Sequence, residues 1–432
     1  MTSMKRTLIL SLVMLCVAAC AQAQDARSEF MKNPALSGSN YVAYPGPKHR
    51  LTPAPRGYEP FYLSHYGRHG SRYLIGTHDY DRPYLTLLRA DSLGKLTPRG
   101  RQVLDQVRQI RQEAMGRDGE LTLLGAQQHK AIARRMYERF PQVFAGDAVI
   151  DAKSTVVIRC ILSMENALQQ LLVLNPRLRI SHDASHHDMY YMNQTDKQLY
   201  KQKLAGGTKQ LLDSFRQRHQ AYGHLMRVLF NDSDYPARIK AADLADQLFT
   251  LASNVQSTEL RHHLSLYSIF TPDEIYQHWL CNNAFWYLTY GPNIRNGGTQ
   301  PFSQRNLLRN IIAQADSCIA LPHPGATLRY GHDTMVMPLV CLLDLNGYGE
   351  PVDRLDQLVT VGWYDYRIFP MACNLQLVFY RRSVGDSDVL VKFLFNEDEA
   401  RLPMATDCAP YYHWRDVRAY YLRKLDSYEK LK

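Results

Sequence analysis

Hydrophobic and polar positions follow two different rhythms along the chain, and together they predict an α/β protein. Short apolar runs rich in β-branched or aromatic residues predict strands near residues 61–64, 148–152 and 327–330. Apolar residues at helical spacing follow the first two of these strands. Two late segments, 375–379 and 389–395, alternate with a period of two and predict a hairpin. We therefore expect a mostly parallel sheet flanked by helices.

The middle of the chain has a different pattern. From residue 181 to residue 322 strand-like segments nearly vanish, and long helical patterns dominate, for example over 197–230 and 236–253. The sequence therefore predicts an α/β core formed by residues 24–180 and 323–432, split by an inserted, mainly α-helical lobe over 181–322. A cleft between core and lobe is the expected place for a ligand.

The first residues have the layout of an export signal. Lys5 and Arg6 precede an apolar run over residues 8–19, which is too short to cross a bilayer as a permanent anchor. Two processing routes are open. Removal of a signal peptide over residues 1–23 would give a periplasmic or secreted protein, whereas lipidation of Cys20 would give a lipid-anchored envelope protein. No later segment has the pattern of a transmembrane helix.

Composition and charge narrow the class of protein. With 432 residues, 45% of them hydrophobic and 21% charged, the chain can bury one large core or two moderate ones. The formal net charge of +10 favours anionic partners. The basic residues are scattered rather than gathered in dense runs, so nucleic acid is not the expected partner.

Residues that could hold a metal do not form a recognisable motif. The six cysteines beyond the leader are widely spaced without a CxxC pair, which argues against zinc or redox chemistry and leaves disulfide pairing open. They are Cys160, Cys281, Cys318, Cys341, Cys373 and Cys408. The histidines and aspartates over 182–188 are better explained as a polar loop at the entry to the helical lobe. The lobe is the expected source of substrate selectivity, although its basic residues also fit a solvated face. These are Lys201, Lys203, Lys209, Arg216 and Arg218.

A polar cluster directly follows the first predicted strand. The segment Arg68-His69-Gly70-Ser71-Arg72 places one imidazole between two guanidinium groups, with a glycine that lets the backbone approach a ligand closely. Arginine offers planar, permanently charged donors to phosphate oxygens, and a neutral histidine is a competent nucleophile. This loop therefore fits phosphoryl transfer through a phosphohistidine.

Two further polar groups follow the later predicted strands. Ser154-Thr155 and Arg159 come after the second strand, and His332-Asp333 come after the third. Alone, Arg159 would be an ordinary ion-pair partner and His332-Asp333 an ordinary turn. Because the ends of three strands can converge on one cleft, their joint occurrence predicts a single anion site.

On these residues the chain resembles the histidine acid phosphatases, a family that includes periplasmic acid phosphatases, phytases and multiple inositol polyphosphate phosphatases. The residues that carry the resemblance span most of the mature chain. They are Arg68 to Arg72; Leu121-Thr122 with Gly125 and Gln128; Ser154-Thr155 with Arg159 and Ser163; Gly331 to Thr334 with Pro338; and the closing segments 374–376 and 394–397.

The resemblance implies a role for each matched residue. His69 would attack the phosphorus, and Asp333 would protonate the leaving alcohol and later activate water. The phosphate oxygens would be held by Arg68, Arg72, Arg159 and His332. No metal or other cofactor is implied.

One departure from the family pattern bears on the substrate. Inositol polyphosphate phosphatases of this family typically have His-Ala-Glu at the second motif, whereas this chain has His332-Asp333-Thr334, the pattern of the acid phosphatases and many bacterial phytases. This departure weakens the expectation of phytate as substrate without removing it. The resemblance implies a phosphomonoesterase acting on inositol polyphosphates such as phytate, or a broad acid phosphatase. The alternative is a catalytically silent protein that binds a phosphorylated ligand on the same fold. Such a protein is expected to lack the nucleophile or the acid, and this chain has both.

Overall fold

One mixed sheet of eight strands lies at the centre of the protein, in a computed structural model that describes residues 26–430. The strands are β1 (Glu59–Arg68), β2 (Val149–Ser154), β3 (Arg179–Asp183), β4 (Gly325–Gly331), β5 (Asn374–Arg381), β6 (Leu390–Phe395), β7 (Asp398–Glu399) and β8 (Tyr411–His413). Their spatial order is β3-β2-β4-β1-β5-β6-β7, and β8 pairs with β6. The predicted signal peptide and Cys20 lie outside the described residues.

The parallel and antiparallel parts of the sheet fall where the sequence predicts them. Strands β1 to β4 pair in parallel, whereas β5 and β6 form an antiparallel hairpin at the side of β1. Parallel neighbours need a crossover between them, and helices fill each crossover. The α/β class is therefore confirmed, with a central, mostly parallel sheet covered by helices.

Helices make up most of the remaining described chain. They are α1 (Ala26–Lys32), α2 (Thr77–Ser92), α3 (Pro98–Ala114), α4 (Leu123–Arg139), α5 (Ile158–Leu174), α6 (Met189–Met192), α7 (Lys197–Gln202), α8 (Thr208–His219), α9 (Gly223–Leu229), α10 (Ala241–Val255), α11 (Pro272–Tyr290), α12 (Arg305–Ile319), α13 (Asp333–Leu343), α14 (Gln357–Thr360), α15 (Asp365–Ile368) and α16 (Trp414–Lys430). None of these combines the length and hydropathy that a membrane crossing requires.

The two faces of the sheet contribute to separate hydrophobic cores, because successive strand residues point to opposite sides. Leu63 of β1 belongs to a core that includes the inward faces of α4 and α5. Tyr62 and Tyr66, on the other face of β1, belong to a larger core that includes α13 and the helices of the middle segment. Burial on both sides explains why β1 and β4 contain almost no exposed residue.

The segment between β3 and β4 is helical, but its long pattern is divided. The continuous pattern over 197–230 becomes three helices, α7, α8 and α9. A turn separates the first two, where Gly206 and Gly207 have φ of 61° and 79°, a conformation that glycine adopts at little cost. The predicted start of the lobe at residue 181 falls inside β3, which pairs with β2 as far as Asp183. The division into core and lobe stays a prediction.

Candidate active site

Three parallel strands bring their carboxyl ends to one edge of the sheet. In the strand register Arg68 of β1 lies opposite Gly331 of β4, and Ser154 of β2 lies opposite Tyr330. The backbone N–H of His69 then donates to the carbonyl of Gly331 at 2.8 Å. The three polar groups predicted from the sequence therefore meet at this edge of the sheet, as expected for residues that follow neighbouring parallel strands.

The loop after β1 rests on the N-terminal halves of two helices, α4 and α5. The backbone N–H of Gly70 donates to Oγ of Ser163 at 3.1 Å, and that of Ser71 donates to Oε1 of Gln128 at 2.9 Å. A Cβ on Gly70 would lie 2.5 Å from the carbonyl oxygen of Gly125 and 2.6 Å from its Cα, which real atoms do not tolerate. Glycine at residue 70 thus permits the close contact between loop and helix that fixes the position of His69.

His69 is a neutral imidazole, and one of its two ring nitrogens is hydrogen-bonded to the backbone. Its Nδ1 lies 2.9 Å from the carbonyl oxygen of Gly70, so Nδ1–H donates there and Nε2 carries the lone pair. Burial lowers the pKa of His69 well below its ordinary value, and the guanidinium groups of Arg68 and Arg159 lower it further. The site therefore keeps His69 in the form that can attack an electrophile.

Three guanidinium groups surround the imidazole of His69, and each has an N–H group without a hydrogen-bond partner. Arg68 is fully buried, and its Nη1 donates to the carbonyls of Asn40 at 2.6 Å and Phe369 at 2.9 Å. The Nε atoms of Arg68, Arg72 and Arg159 are all buried without a hydrogen-bond partner. Buried polar groups are nearly always paired in folded proteins. Three such donors beside one histidine are a set of groups that can bind an anion with several oxygens.

Asp333 begins α13 and is held as a carboxylate. Its Oδ1 accepts from the backbone N–H of Thr334 at 2.8 Å, and its Oδ2 accepts from Nδ2 of Asn40 at 3.0 Å. The same Oδ2 lies 2.7 Å from Nη2 of Arg68. Burial acts to raise the pKa of Asp333, but Arg68 and the Asn40 hydrogen bond outweigh it and the pKa falls to about 2. A group near Asp333 must supply the proton before this residue can act as an acid.

His332 is the second imidazole of the site. The centroid of its ring lies 5.7 Å from that of His69, and its Nε2 lies 3.2 Å from Oγ1 of Thr155. Burial, reinforced by the nearby charge of Arg159, lowers the pKa of His332 to about 4. Above that pH the ring is neutral and has an N–H to offer to an oxyanion.

All six residues expected to act on a phosphate lie in this one region; they are Arg68, His69, Arg72, Arg159, His332 and Asp333. By contrast, the polar residues over 182–188 contact separate partners. Nδ1 of His182 lies 2.7 Å from Glu165, and Asp188 pairs with Lys153 at 2.8 Å. Among the described residues these side chains do not form a shared metal site.

A cavity of about 160 Å³ lies beside the start of α13. It is lined by Thr334 and Met335 of α13 and by residues of the helical segment. Two of these, Gln194 and Gln304, have a buried side-chain oxygen without a hydrogen-bond partner. Both amide oxygens lie buried in the wall of the cavity.

Lys203 gives the same cavity an unpaired positive charge. Its Nζ lies 3.6 Å from the ring centroid of Tyr290, and no carboxylate of residues 26–430 lies within ion-pair distance of it. Burial lowers the pKa of Lys203 to about 8. The sequence places Lys203 only among residues that fit a solvated face, and it gives no signal for Asn40. Their roles depend on contacts between distant parts of the chain.

The cysteines of the described chain are not cross-linked. All six, from Cys160 to Cys408, are free thiols, four of them buried. The pairing that the sequence leaves open is thus absent from residues 26–430. The nearest of them to the site is Cys160, whose thiol donates to the carbonyl of Gly331 at 3.3 Å and lies 3.8 Å from Nε2 of His332.

The chain matches a known family and several solved structures. Residues 68–396 match the sequence profile of the histidine phosphatase superfamily (branch 2). The fold is similar to that of the multiple inositol polyphosphate phosphatase of Bifidobacterium longum in complex with inositol hexasulfate, with a TM-score of 0.72 and 18% identity over 89% of this chain and 97% of that one. No curated protein sequence matches the chain significantly.

Two phytases also share the fold. The phytase of D. castellii has a TM-score of 0.68 and 14% identity, over 91% of this chain and 85% of that one. The phytase of Hafnia alvei has a TM-score of 0.53 and 15% identity, over 86% of this chain and 98% of that one. At these identities the structural likeness establishes the fold, while the family rests on the sequence profile.

Proposed function

Since the chain belongs to branch 2 of the histidine phosphatase superfamily, we propose that it hydrolyses phosphate monoesters by passing the phosphoryl group through His69. The observation that carries this proposal is the free Nε2 of His69 among three guanidinium groups with unused Nε donors. The leader predicted over residues 1–23 supports a location outside the cytoplasm.

In the first step of the proposed reaction, Nε2 of His69 attacks phosphorus and the bond to the alcohol oxygen breaks. Asp333 gives its proton to that oxygen as the alcohol leaves, and the phosphoryl group stays on His69. The oxygens of the transferring group are held by the four other groups of the site, which are Arg68, Arg72, Arg159 and His332. Fixed donors of this kind stabilise the charge where it develops and need no reorganisation.

In the second step Asp333 accepts a proton from water while the water oxygen attacks the phosphohistidine. The P–N bond breaks, its electron pair returns to Nε2 of His69, and inorganic phosphate leaves. Asp333 regains the proton that it lost in the first step, so the cycle closes without a metal. The start of α13 faces the same anion, and the positive end of a helix favours negative charge.

The pKa values of the free site predict an acidic pH optimum. Asp333, with a pKa of about 2, is ionised above that pH, so its proton must arrive with a singly protonated substrate. A phosphate monoester loses that proton near pH 6. We expect kcat/KM to be high at acidic pH up to about pH 6, and to fall about tenfold per pH unit above this.

This pH dependence is checked with two aryl phosphates that differ in their second pKa. The upper limb of the kcat/KM profile should move with the substrate. A limb that stays fixed, or a rate that climbs beyond neutrality, would rule out proton delivery through Asp333.

The cavity beside Asp333 supports a polyphosphorylated polyol as substrate. Lys203 offers a positive charge to a second phosphate group, beside the one that His69 attacks. An inositol polyphosphate has such a second phosphate group on the same ring. The inositol hexasulfate in the B. longum complex has the same number of anionic groups as phytate, which is consistent with this choice.

Replacing Lys203 with methionine should therefore change substrate preference. We expect kcat/KM for inositol hexakisphosphate to fall about tenfold, the cost of one charge-assisted hydrogen bond, with a much smaller effect on an aryl phosphate. Lys201→Met is the matched control, because Lys201 lies in the last turn of the helix that Lys203 caps, but is exposed. Equal losses on both substrates, or equal effects of the two variants, would remove Lys203 from the substrate site.

A release assay tests the proposed function as a whole. Inorganic phosphate is measured with inositol hexakisphosphate, a sugar phosphate and an aryl phosphate, and binding of each is measured in parallel. The proposal expects turnover of all three, highest in kcat/KM for the inositol phosphate. Tight binding without phosphate release would instead support the catalytically silent alternative.

A further inference from the structure

We propose that the turn around β8 binds one divalent transition-metal ion, with Zn²⁺ as the fitting ion, through Asp407, Cys408 and His413. One ligand atom from each of these side chains lies within 4.8 Å of the other two. A carboxylate, a thiolate and an imidazole are the ligand types that zinc takes in proteins. The spacing of these residues matches no familiar motif, which is why the sequence does not predict the site.

The distances fit a tetrahedral ion. Nε2 of His413 lies 3.0 Å from Oδ1 of Asp407 and 4.0 Å from Sγ of Cys408. With ordinary zinc–ligand bond lengths, a tetrahedral centre would place these pairs about 3.3 Å and about 3.6 Å apart. Each of these two separations is within about 0.4 Å of that geometry, and the exposed side chain of Asp407 is free to rotate toward it.

A second carboxylate already orients the imidazole. Nδ1 of His413 lies 2.6 Å from Oδ1 of Asp388, and Oδ2 of Asp388 accepts from the hydroxyl of Tyr58 at 2.7 Å. With Nδ1–H donating to Asp388, Nε2 faces Asp407 and Cys408. Metal-binding histidines almost always have such an outer carboxylate or carbonyl partner.

An entry path and a fourth ligand are available. A solvent-open cavity of about 320 Å³ is lined by Thr406, Asp407, His413 and Asp416. Water from this cavity can complete the tetrahedron. On binding, Cys408 ligates as a thiolate and releases its proton to solvent, while the ion replaces any proton on Nε2 of His413.

The site lies at the opposite end of the sheet from the catalytic histidine. His413 pairs with Leu390, which pairs with Tyr380, and Tyr380 lies opposite Pro60 near the start of β1. The carboxyl end of β1, which leads into His69, lies at the other end of that strand, roughly 25 Å away at about 3.3 Å per residue. The bound ion would fix the β8 turn against β6 rather than take part in phosphoryl transfer.

The test loads the purified full chain with Co²⁺ or Zn²⁺, removes free metal by gel filtration and counts bound metal. We expect one equivalent of either ion, and a near-ultraviolet thiolate-to-cobalt charge-transfer band in the Co²⁺ form. Cys408→Ser should abolish the band, and Asp388→Asn should weaken Zn²⁺ binding about 10–100-fold. Cys318→Ser, which changes another partly exposed thiol, should have no effect on either readout.

Activity on an aryl phosphate reports that each variant is folded, because none of the changed residues lies in the catalytic site. Asp407→Asn provides a second variant at an exposed position in case Cys408→Ser is unstable. Less than one equivalent of metal, or a cobalt complex without a thiolate band, would overturn the proposal. Equal metal retention by the wild type and both ligand variants would do the same, since it would identify adventitious surface binding.

Discussion

Replacement of His69 by alanine should abolish phosphatase activity while leaving the fold intact. The side chain supplies the nucleophile, since Nδ1 donates to the carbonyl of Gly70 and Nε2 keeps its lone pair. Loss of a nucleophile from a cooperating catalytic set typically costs kcat on the order of 10⁴-fold or more. The rate is measured on an aryl phosphate and on inositol hexakisphosphate.

The effect on binding separates this loss from unfolding. The guanidinium groups of Arg68, Arg72 and Arg159 stay in place in the variant, so inorganic phosphate should still bind and raise its melting temperature. His182→Ala is the control, since it removes an exposed imidazole that contacts only Glu165. A His69→Ala protein that turns over at the wild-type rate would leave the assignment of the nucleophile without support.

Replacement of Asp333 by asparagine should slow the two steps unequally for different leaving groups. An alkyl alcohol needs a proton to leave, and a general acid contributes about 10²–10⁴-fold to such a step. An activated aryl oxide leaves without that help, so its phosphoryl transfer to His69 should fall far less. Both substrates still need Asp333 to activate water in the second step.

Pre-steady-state kinetics resolve this difference. With an activated aryl phosphate, Asp333→Asn should release one phenol per site in a burst and then turn over slowly. With an alkyl phosphate no burst should appear. If the variant hydrolyses both classes of substrate with the same fractional loss and no burst, Asp333 does not have the acid and base roles proposed for it.

The site at the carboxyl ends of β1, β2 and β4 could be predicted from the sequence because it depends on short local patterns. His69 and His332-Asp333 each directly follow a strand that is evident from its apolar residues. Parallel strands then bring such positions together without any further information. The helix starts at Thr97 and Thr122 are equally local, since each threonine accepts from a backbone N–H three residues ahead.

The remaining features depend on long-range contacts that no local pattern encodes. Asn40 and Asp333, which share a hydrogen bond, are 293 residues apart in the chain. In the sequence, nothing separates Lys203 from its exposed neighbour Lys201. The packing of Lys203 against Tyr290 in the folded protein distinguishes the two. The balance between burial and Arg68 that lowers the pKa of Asp333 also exists only in the folded protein.

The proposed metal site at the β8 turn is another feature that the sequence does not predict. The sequence argues against zinc because its cysteines lack paired spacing. The fold nevertheless brings Cys408 within 4.0 Å of Nε2 of His413, and a third ligand type joins them from Asp407. Spacing rules recognise sites built within one motif and miss those assembled by a turn of irregular length.

The covalent step at His69 is tested most directly by trapping the intermediate. Asp333→Asn is mixed with an activated aryl phosphate, quenched in alkali, in which phosphohistidine survives, and analysed by peptide mass spectrometry. We expect one added phosphoryl group per chain, located on His69 and lost on mild acid treatment. Phosphate release without any phosphorylated His69, or a phosphoryl group on a different residue, would rule out His69 as the nucleophile.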